Sequence, residues 1–381
     1  MEFTDLHASK LLISPTRPRG FSVERIVLTK GSISTLKRKQ FVESICALYP
    51  QAKVFDRRDI PHNKVPISGT TSGGVKHIAG KKTLVFGEHK SAVRFSEEDS
   101  NTCPNYWHFS STGYCFFDCK YCYLAGTPGV WHSPTVKVFV NLDEIIDQID
   151  AVAHRLGKTT GFYLGKLQDG LALDPLTAYS EKLVPFFAEH PYARQVILTK
   201  SDEIDRLLSL DHNKHTILSW SLNPQIVIDA FEANTPSLNQ RLEAMKRCAA
   251  AGYPTRAVVM PVIPVANWQE VYADLIDCLL REVHIERLTI GGICSYGKAL
   301  WLTDQKLGKD NVITRNLDRD HKAGDGRVRY PPSLRLSMYS HIINVAREAR
   351  PELEMALCLE EKALWQNLGM ETQLGKCNCV W

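Results

Sequence analysis

Three cysteines lie close together in the segment "STGYCFFDCKYCYLAG" (residues 111–126): Cys115, Cys119 and Cys122. We call them the loop thiol set. Their spacing is C-x3-C-x2-C, and the next cysteine upstream is Cys103. Thiolates bind soft metals, so zinc and iron–sulfur clusters are the candidates. A structural zinc site has four ligands, whereas three thiolates on one loop fit three corners of a [4Fe–4S] cluster and leave the fourth iron open. The spacing therefore favours such a cluster over zinc and over three unrelated buried thiols.

Composition restricts where this chemistry takes place. The 381 residues carry a net charge of +4, which permits a polyanionic partner without requiring one. The N-terminus lacks the pattern of a signal peptide, and the longest apolar stretch, "AVVMPVIPVA", is too short to span a bilayer. We therefore expect a cytoplasmic protein without a membrane segment. In that reducing compartment, its eleven cysteines are better interpreted as ligands, catalytic thiols or core residues than as disulfides.

Strands and helices alternate after residue 105, and this alternation must position the cysteines. A helix with an apolar face, "NLDEIIDQIDAVAHRLG", follows the cysteine loop, with Asn141 and Glu144 as a candidate capping box and Gly157 as a stop. The alternation predicts a parallel sheet with right-handed crossovers. We expect a partial (β/α)6 barrel, with an open doubly wound sheet as the alternative. The six predicted strands are "NYWHFSST", "GFYLG", "RQVILTK", "TILSWSLN", "TRAVVMPVI" and "ERLTIGGICSYG".

Three regions are predicted along the chain. Residues 1–100 form an N-terminal arm and a small α/β layer, in which the Gly/Ser/Thr-rich segment 67–80 is expected to be a connector. Residues 101–331 form the barrel. Residues 332–381 form a C-terminal helix, "SLRLSMYSHIINVAREA", and a cysteine-bearing tail that ends in "GKCNCVW".

Polar residues follow the predicted strands, where ligands of parallel α/β folds gather. We expect them to meet the cysteine loop at one mouth of the barrel. They are Lys166, Asp169, Lys200, Ser221, Asn223 and Cys294.

The cysteine motif on the loop after the first strand of six resembles the radical S-adenosylmethionine superfamily. Further blocks resemble the spore photoproduct lyase family, in the same order from about residue 25 to residue 331. The resemblance implies an enzyme with a [4Fe–4S] cluster and S-adenosylmethionine, supplied by a reducing electron donor. It implies that a 5′-deoxyadenosyl radical abstracts hydrogen from a methylene-linked thymine dimer in DNA. The blocks are "GKKTLVFGEHKS", "CKYCYL", "KVFVNLDEII", "VILTKS", "SWSLN", "AFEANTPSLNQRLEAMKRCAAAGYP" and, more weakly, "GDGRVRYP".

The resemblance also implies residue roles. The loop thiol set would ligate the cluster. Tyr121 and Tyr123 match the tyrosines that flank the last cysteine, and Tyr123 would lie by the substrate and relay hydrogen. Lys200 and Ser221 match positions that contact S-adenosylmethionine, and Asn223 has a weaker claim. In "GDGRVRYP", a hairpin that separates DNA bases in the family, the contacts with phosphate and base would come from Arg327, Arg329 and Tyr330.

One position departs from the family. The family has a hydrogen-donating cysteine after the second strand, and this chain has Lys166 there. An ammonium cannot donate a hydrogen atom in place of a thiol, because its N–H bonds are too strong. Either another thiol does this, with Cys294 and the C-terminal Cys377 and Cys379 as candidates, or the reaction ends differently. We also expect that Cys377 and Cys379 could ligate a metal together with Cys358.

Three functions remain open. The first is repair of a thymine lesion in DNA with a relocated hydrogen donor. The second is a related enzyme acting on a small metabolite or nucleoside, where Lys166 and Asp169 would bind an anionic or polar group. The third is a structural or redox-sensing cluster in a nucleic-acid-binding protein.

Overall fold

The computed structural model of the protein describes residues 15–67, 73–97, 101–322, 324 and 326–381. Its strands, in chain order, are β1 (Arg25–Thr29), β2 (Lys53–Arg57), β3 (Thr83–Gly87), β4 (Val93–Ser96), β5 (Tyr106–Phe109), β6 (Thr112–Gly113), β7 (Asp118–Cys119), β8 (Val136–Phe139), β9 (Thr160–Leu164), β10 (Ala193–Thr199), β11 (Thr216–Leu222), β12 (Glu232–Ala233), β13 (Thr255–Val262), β14 (Arg287–Gly292), β15 (Cys294–Ser295), β16 (Asp318–Lys322), β17 (Val328–Arg329) and β18 (Glu354–Leu357).

Helices connect and cover these strands. In chain order they are α1 (Leu36–Ala47), α2 (Gly73–Lys81), α3 (Pro128–His132), α4 (Leu142–Leu156), α5 (Asp174–Thr177), α6 (Ser180–Glu189), α7 (Gln225–Phe231), α8 (Leu238–Ala250), α9 (Trp268–Glu282), α10 (Gly297–Leu307), α11 (Pro332–Ala349) and α12 (Lys362–Asn367). None of the helices in the described residues is long and apolar enough to cross a bilayer.

The larger sheet has eight strands in the order β18–β14–β13–β11–β10–β9–β5–β4. All its neighbours pair in parallel except β4 and β5. The six predicted strands are therefore confirmed as β5, β9, β10, β11, β13 and β14. Every residue of β11 and β14 is buried, as expected for parallel strands covered on both faces. The sheet ends at β4 and β18, which do not pair with each other in the described part of the chain.

The C-terminal segment covers one face of this sheet. Cys379 and Val380 pack against Tyr106, Tyr163 and Val196, which lie on β5, β9 and β10. The neighbouring residues of the same strands, such as Phe162 and Ile197, point the other way into the main core. This alternation follows from the two-residue period of a strand, and it leaves the tail against one face of the sheet and the main core on the other.

The smaller sheet has the order β2–β1–β3–β8–β6. It shows that strands cross the predicted boundaries at residues 100 and 331. Strands β6 and β8 come from the predicted barrel region, while β4 from the N-terminal region and β18 from the tail join the larger sheet. Apolar periodicity identifies strands but not the sheet that each one joins.

Two local predictions are wrong. Part of the expected connector forms α2, in which Gly73 packs so closely against Trp301 of α10 that an added Cβ would lie 2.6 Å from the ring; residues 68–72 of that connector lie outside the described residues. At α4, Asn141 makes no capping bond, because its side-chain oxygen accepts from the backbone N–H of His89 at 2.9 Å. The predicted stop is confirmed, since Gly157 ends the helix with φ 60°.

Candidate functional site

The cysteine loop connects β6 to β7 and continues into a short 3-10 turn, Tyr123–Gly126, which Cys122 precedes. Phe116 and Phe117 are buried and anchor the loop in the core. From α2, the ammonium of Lys81 donates to the carbonyl oxygens of Cys115, at 3.0 Å, and of Phe117. A second lysine, Lys306, pairs with Asp118 at 2.6 Å. The ammonium groups of Lys81 and Lys306 therefore fix the cysteine loop in position.

The loop thiol set lines a cavity that is open to solvent. Other residues of the cysteine loop and the strand ends of the larger sheet complete its wall, and the contribution of the strand ends agrees with the prediction from the sequence. The other lining residues are Phe117, Tyr121, Tyr123, Leu124, Gly165, Gln168, Asp169, Leu198, Thr199, Lys200, Ser221, Val258, Met260, Pro261, Gly292, Ile293, Cys294 and Ser295. The cavity thus combines thiols, one ammonium and one carboxylate with an apolar wall, which suits a ligand with charged and apolar parts.

Two thiols of this loop, those of Cys115 and Cys119, have raised pKa values in the protein. Burial raises the pKa of Cys119 to about 12 and that of Cys115 well above its ordinary value. Nearby Asp169 adds to the effect at Cys115. A bound metal cluster would supply the positive charge that lets buried thiols ionise. The donor set therefore fits a thiolate-ligated cluster better than it fits a free nucleophile.

Lys200 and Ser221 meet across the ends of β10 and β11. The Lys200 ammonium donates to the Ser221 hydroxyl at 2.8 Å, and that hydroxyl donates to the carbonyl of Met260 at 3.3 Å. Asp169 fixes the backbone at this point: it accepts from the N–H of Lys200 at 2.7 Å and from the Thr199 hydroxyl at 2.6 Å. Its contacts make Asp169 a support for Lys200.

Tyr121 is fixed by a buried network that the sequence did not reveal. Its hydroxyl donates to Glu232, which pairs with Arg241 at 2.5 Å, and both partners of that pair are fully buried. Burial would raise the pKa of Glu232, but Arg241 and Lys200 lower it to about 2. Asn223 belongs to this network, because its amide donates to Glu232 at 3.0 Å. It is fully buried and does not line the cavity, unlike Lys200 and Ser221.

Tyr123 faces the cavity, and Lys166 does not. The Tyr123 hydroxyl donates to the backbone oxygen of Lys166 at 2.5 Å. The Lys166 ammonium donates to the hydroxyl of Ser96 and lies 5.0 Å from the ring centre of Tyr106. Although Gly165 and Gln168 line the cavity, the lysine between them is turned toward β4 and β5.

Cys294 lies in the wall of the cavity, on β15, which pairs with β17. Arg329 of β17 donates through Nε to the Cys294 sulfur at 3.3 Å and pairs with Glu361 at 3.1 Å. Tyr330 is only 1% exposed, and the buried Arg327 lies 6.0 Å from the ring centre of Tyr296. The hairpin therefore directs these three side chains inward, which differs from the expected surface contacts with phosphate and base.

Three functional residues were missed in the sequence: Lys81, Glu232 and Arg241. The last two lie in the block "AFEANTPSLNQRLEAMKR", but they are nine residues apart, with Glu232 on β12 and Arg241 in α8, so no helical spacing pairs them in the sequence. Lys81 gave no signal, because nothing in the sequence links it to a loop more than thirty residues away.

Comparisons with known proteins agree with this geometry. A model of the family "Spore photoproduct lyase" matches residues 38–290. The spore photoproduct lyase of Geobacillus sp. (strain Y412MC61) is 32% identical over 237 residues, which are 62% of this chain and 67% of the relative. That of Bacillus subtilis (strain 168) is 33% identical over 224 residues, 58% of this chain and 64% of the relative.

Solved structures give the fold. A spore photoproduct lyase complexed with dinucleoside spore photoproduct has a TM-score of 0.76 at 23% identity, and the match covers 90% of this chain and 99% of that one. A variant of that enzyme with bound AdoMet and dinucleoside spore photoproduct also has a TM-score of 0.76, at 22% identity. The predicted α/β fold of the radical S-adenosylmethionine type is confirmed.

Proposed function

The chain belongs to the spore photoproduct lyase family, an enzyme family of radical S-adenosylmethionine lyases, and we propose that it repairs a methylene-linked thymine dimer in DNA. The observation that carries the proposal is the convergence of the loop thiol set, Lys200 and Ser221 on one cavity. The matched relatives bear the name of this activity, and the similar solved structures hold its dinucleoside lesion. No comparable observation supports a small metabolite as the substrate.

The cofactor would be a [4Fe–4S] cluster on the loop thiol set, with S-adenosylmethionine beside it. When bound, they supply a 5′-deoxyadenosyl radical after reduction by an external electron donor. The chain contributes three thiols on a loop that Lys81 and Lys306 hold in place. Three ligands leave one position for the methionine group of S-adenosylmethionine.

The remaining polar residues would orient that group. The Lys200 ammonium suits a carboxylate, and the Ser221 hydroxyl suits a ribose or carboxylate oxygen. Both already lie 2.8 Å apart and are directed by the backbone contacts of Asp169. Val258, Met260 and Ile293 form the apolar wall that excludes water from the reacting atoms.

Hydrogen return to the product would come from Cys294. Within the described lining of the cavity, Cys294 is the one cysteine outside the loop thiol set. Its S–H bond is weak enough to donate a hydrogen atom to a carbon radical, unlike the N–H bonds of Lys166. Tyr123, which also lines the cavity, would give its hydroxyl hydrogen to the resulting thiyl radical, and the tyrosyl radical left behind would take one electron from the external donor and one proton. The Arg329 N–H at 3.3 Å orients the Cys294 sulfur.

The test uses anaerobically reconstituted protein, dithionite, S-adenosylmethionine and a duplex oligonucleotide with one methylene-linked thymine dimer. We expect restored thymidine and 5′-deoxyadenosine by mass spectrometry, and neither product from the variant with all three loop thiols changed to Ala. If 5′-deoxyadenosine forms and the lesion persists in duplex, the DNA-repair assignment is wrong. If only the free dinucleoside reacts, a nucleoside substrate replaces DNA.

The donor role is tested with Cys294→Ala. We expect 5′-deoxyadenosine to form while the yield of thymidine falls. The matched control is Cys248→Ala, another buried cysteine, which lies in α8 away from the cavity. Equal thymidine yields from the two variants would rule out Cys294 as the donor.

A further inference from the structure

Four cysteines from three distant segments meet in space. Cys103 precedes β5, Cys358 follows β18, and Cys377 and Cys379 lie in the C-terminal tail; we call these four the tail thiol set. The Cys103 thiol interacts with those of Cys358 and Cys377, and the Cys377 thiol interacts with that of Cys379. None of the four forms a disulfide. The chain therefore builds a second group of free thiols outside the loop thiol set.

The backbone around Cys103 and Cys358 is shaped to bring these sulfurs together. Leu359 has φ 57°, a left-handed conformation that is uncommon for a branched side chain. In this conformation its N–H donates to the Cys103 sulfur at 3.3 Å. The N–H of Cys358 donates to the carbonyl of Ile290 at 2.8 Å, which fixes Cys358 at the end of the larger sheet. Backbone N–H bonds to sulfur are typical of thiolates that ligate metal.

Buried cations hold the tail at this position. Arg287 donates to the carbonyl of Cys377, and Arg256 donates to that of Val380, each at 2.6 Å. Both guanidinium groups are buried, and the Nε of Arg256 has no hydrogen-bond partner within the described residues. Arg287 pairs with Glu354, whereas no ion pair to Arg256 is found in the described part of the chain. Glu286 and Glu354 act on Arg256 electrostatically without pairing with it, and a thiolate-ligated metal centre would add negative charge beside this buried guanidinium.

A polar side chain between two of the thiols also has no partner. Asn378 is 3% exposed, and neither its amide nitrogen nor its amide oxygen forms a hydrogen bond with any described residue. Buried amides in proteins are almost always paired. An amide N–H next to Cys377 and Cys379 can donate to the sulfur atoms of a metal centre. The unpaired amide of Asn378 is therefore independent support for a bound metal centre between these thiols.

The spacing of the sulfurs favours a cluster over a single ion. Among the described residues, the group of three or more potential ligands whose ligand atoms all lie within 4.8 Å is Asp150, His154 and His190. In neither thiol set do three sulfur atoms all lie within 4.8 Å of one another. A tetrahedral zinc ion, with Zn–S bonds of about 2.3 Å, requires sulfurs about 3.8 Å apart. The tail thiol set shares this property with the loop thiol set, whose sequence spacing favours an iron–sulfur cluster over a single zinc ion.

We propose that Cys103, Cys358, Cys377 and Cys379 ligate a second iron–sulfur cluster of the [4Fe–4S] type. Four thiolates occupy one position on each iron, so this cluster has no open iron and does not bind S-adenosylmethionine. It connects the C-terminal tail to the segment before β5, through Cys103, and to the segment after β18, through Cys358. It also lies near the site, because the Cys379 and Cys358 thiols act electrostatically on Tyr123 and Tyr163. The inference is independent of the proposed function.

The test measures iron, acid-labile sulfide and zinc in reconstituted protein. We expect about eight irons and eight sulfides per wild-type chain. The double variant Cys377→Ser/Cys379→Ser should retain about four irons, and so should the variant with the loop thiol set changed to Ala. The second variant leaves the tail intact, so it answers the question even if the double variant does not fold. Cys46→Ser and Cys278→Ser, at half-buried cysteines of α1 and α9, should keep the wild-type content.

The outcomes separate this inference from the proposed function. If the loop variant loses all iron while wild type holds about four, there is no second cluster. If wild type holds about four irons and the loop variant keeps all of them, the tail thiol set holds the cluster and the proposed cluster on the loop thiol set is wrong. One zinc per chain that is lost with Cys377 and Cys379 would overturn the iron–sulfur assignment. The dithionite-reduced loop variant should show an electron paramagnetic resonance signal that S-adenosylmethionine does not change; a changed signal would mean an open iron and contradict four thiolate ligands.

Discussion

The buried pair of Glu232 and Arg241 should control the stability of the cysteine loop, and Glu232→Gln tests this. The two side chains lie 2.5 Å apart and are fully buried. Glu232 also accepts from the hydroxyl of Tyr121, which lies between two cysteines of the loop thiol set. The substitution preserves the shape of the side chain and removes its charge. It leaves the guanidinium of Arg241 buried without a counter-charge.

Two routes give the size of the effect. Burial opposes ionisation of Glu232, but Arg241 and Lys200 lower its pKa from 4.5 to about 2. The difference between 4.5 and about 2 corresponds to about 3 kcal/mol. Removal of one partner from a buried ion pair costs about 3–5 kcal/mol. We therefore expect Glu232→Gln to lower the free energy of unfolding at pH 7 by about 3–5 kcal/mol.

The pH dependence gives a second check. The folded-state pKa lies below the unfolded-state pKa, so the stabilisation by ionised Glu232 is fully present above pH 4.5 and is lost as the pH falls toward about 2. Urea unfolding followed by tryptophan fluorescence should give a constant difference between wild type and variant at neutral pH, and a shrinking one below pH 4.5. The control is Glu243→Gln in α8, the helix that carries Arg241, where an exposed pair with Lys246 at 3.4 Å is worth less than about 0.5 kcal/mol. A loss from Glu232→Gln no larger than that of the control would refute the reasoning.

Three further substitutions have expected outcomes. Lys200→Met should weaken S-adenosylmethionine binding, measured by calorimetry, about 10- to 100-fold, because a charged hydrogen bond is worth about 1.5–3 kcal/mol; Lys182→Met, on the surface of α6, should not change it. Lys81→Met removes two hydrogen bonds to the cysteine loop, and iron should pass to a chelator several-fold faster than from Lys76→Met protein. Arg329→Ala should lower the free energy of unfolding by about 1–3 kcal/mol, because the side chain is buried and paired. The slope of DNA affinity against salt concentration should stay as in wild type, since Arg329 neutralises no phosphate; a shallower slope would place it on DNA.

The strands of the larger sheet could be predicted because each buried strand is a short run of mostly apolar or small residues. The segment "TILSWSL" is apolar or small throughout, and it becomes the fully buried β11. Ligand placement at the strand ends follows from parallel topology, so Lys200 and Ser221 were found without any knowledge of contacts. Strand β18 was not predicted, because "EMAL" is too short to distinguish from a helix segment.

The direction in which side chains point at these strand ends could not be predicted from the sequence. Asn223 lies two residues after Ser221, yet its amide points into the core toward Glu232, while Ser221 faces the cavity. Tyr330 was expected to stack on a base and is 1% exposed, because the hairpin packs back against the body of the protein. A one-residue difference in where a strand ends reverses the face on which a side chain lies, and sequence patterns place strand ends less accurately than that.

Contacts between segments that are distant in the sequence also could not be predicted. Lys81 reaches the cysteine loop from α2, and the tail thiol set draws on residues near 103, 358 and 378. The sequence linked the terminal Cys377 and Cys379 with Cys358 as possible metal ligands, but it did not link Cys103 or Lys81 to their partners. Only the return of the tail along one face of the larger sheet brings these thiols together.

Lys166 shows how these two limits combine at the site. The sequence places it where the family has a thiol, which suggests a changed reaction or a new binding group. Its ammonium instead turns toward Ser96 and Tyr106, so the cavity gains no cation there and a hydrogen-donating thiol must come from another strand. Cys294 meets that requirement from β15, with its sulfur oriented by Arg329 of a hairpin that the sequence assigned to DNA. A cysteine introduced by Lys166→Cys could act as a hydrogen donor only if its side chain pointed into the cavity, and the Lys166 side chain does not. We therefore expect Lys166→Cys not to rescue thymidine formation in the Cys294→Ala background; rescue would show that residue 166 still reaches the substrate.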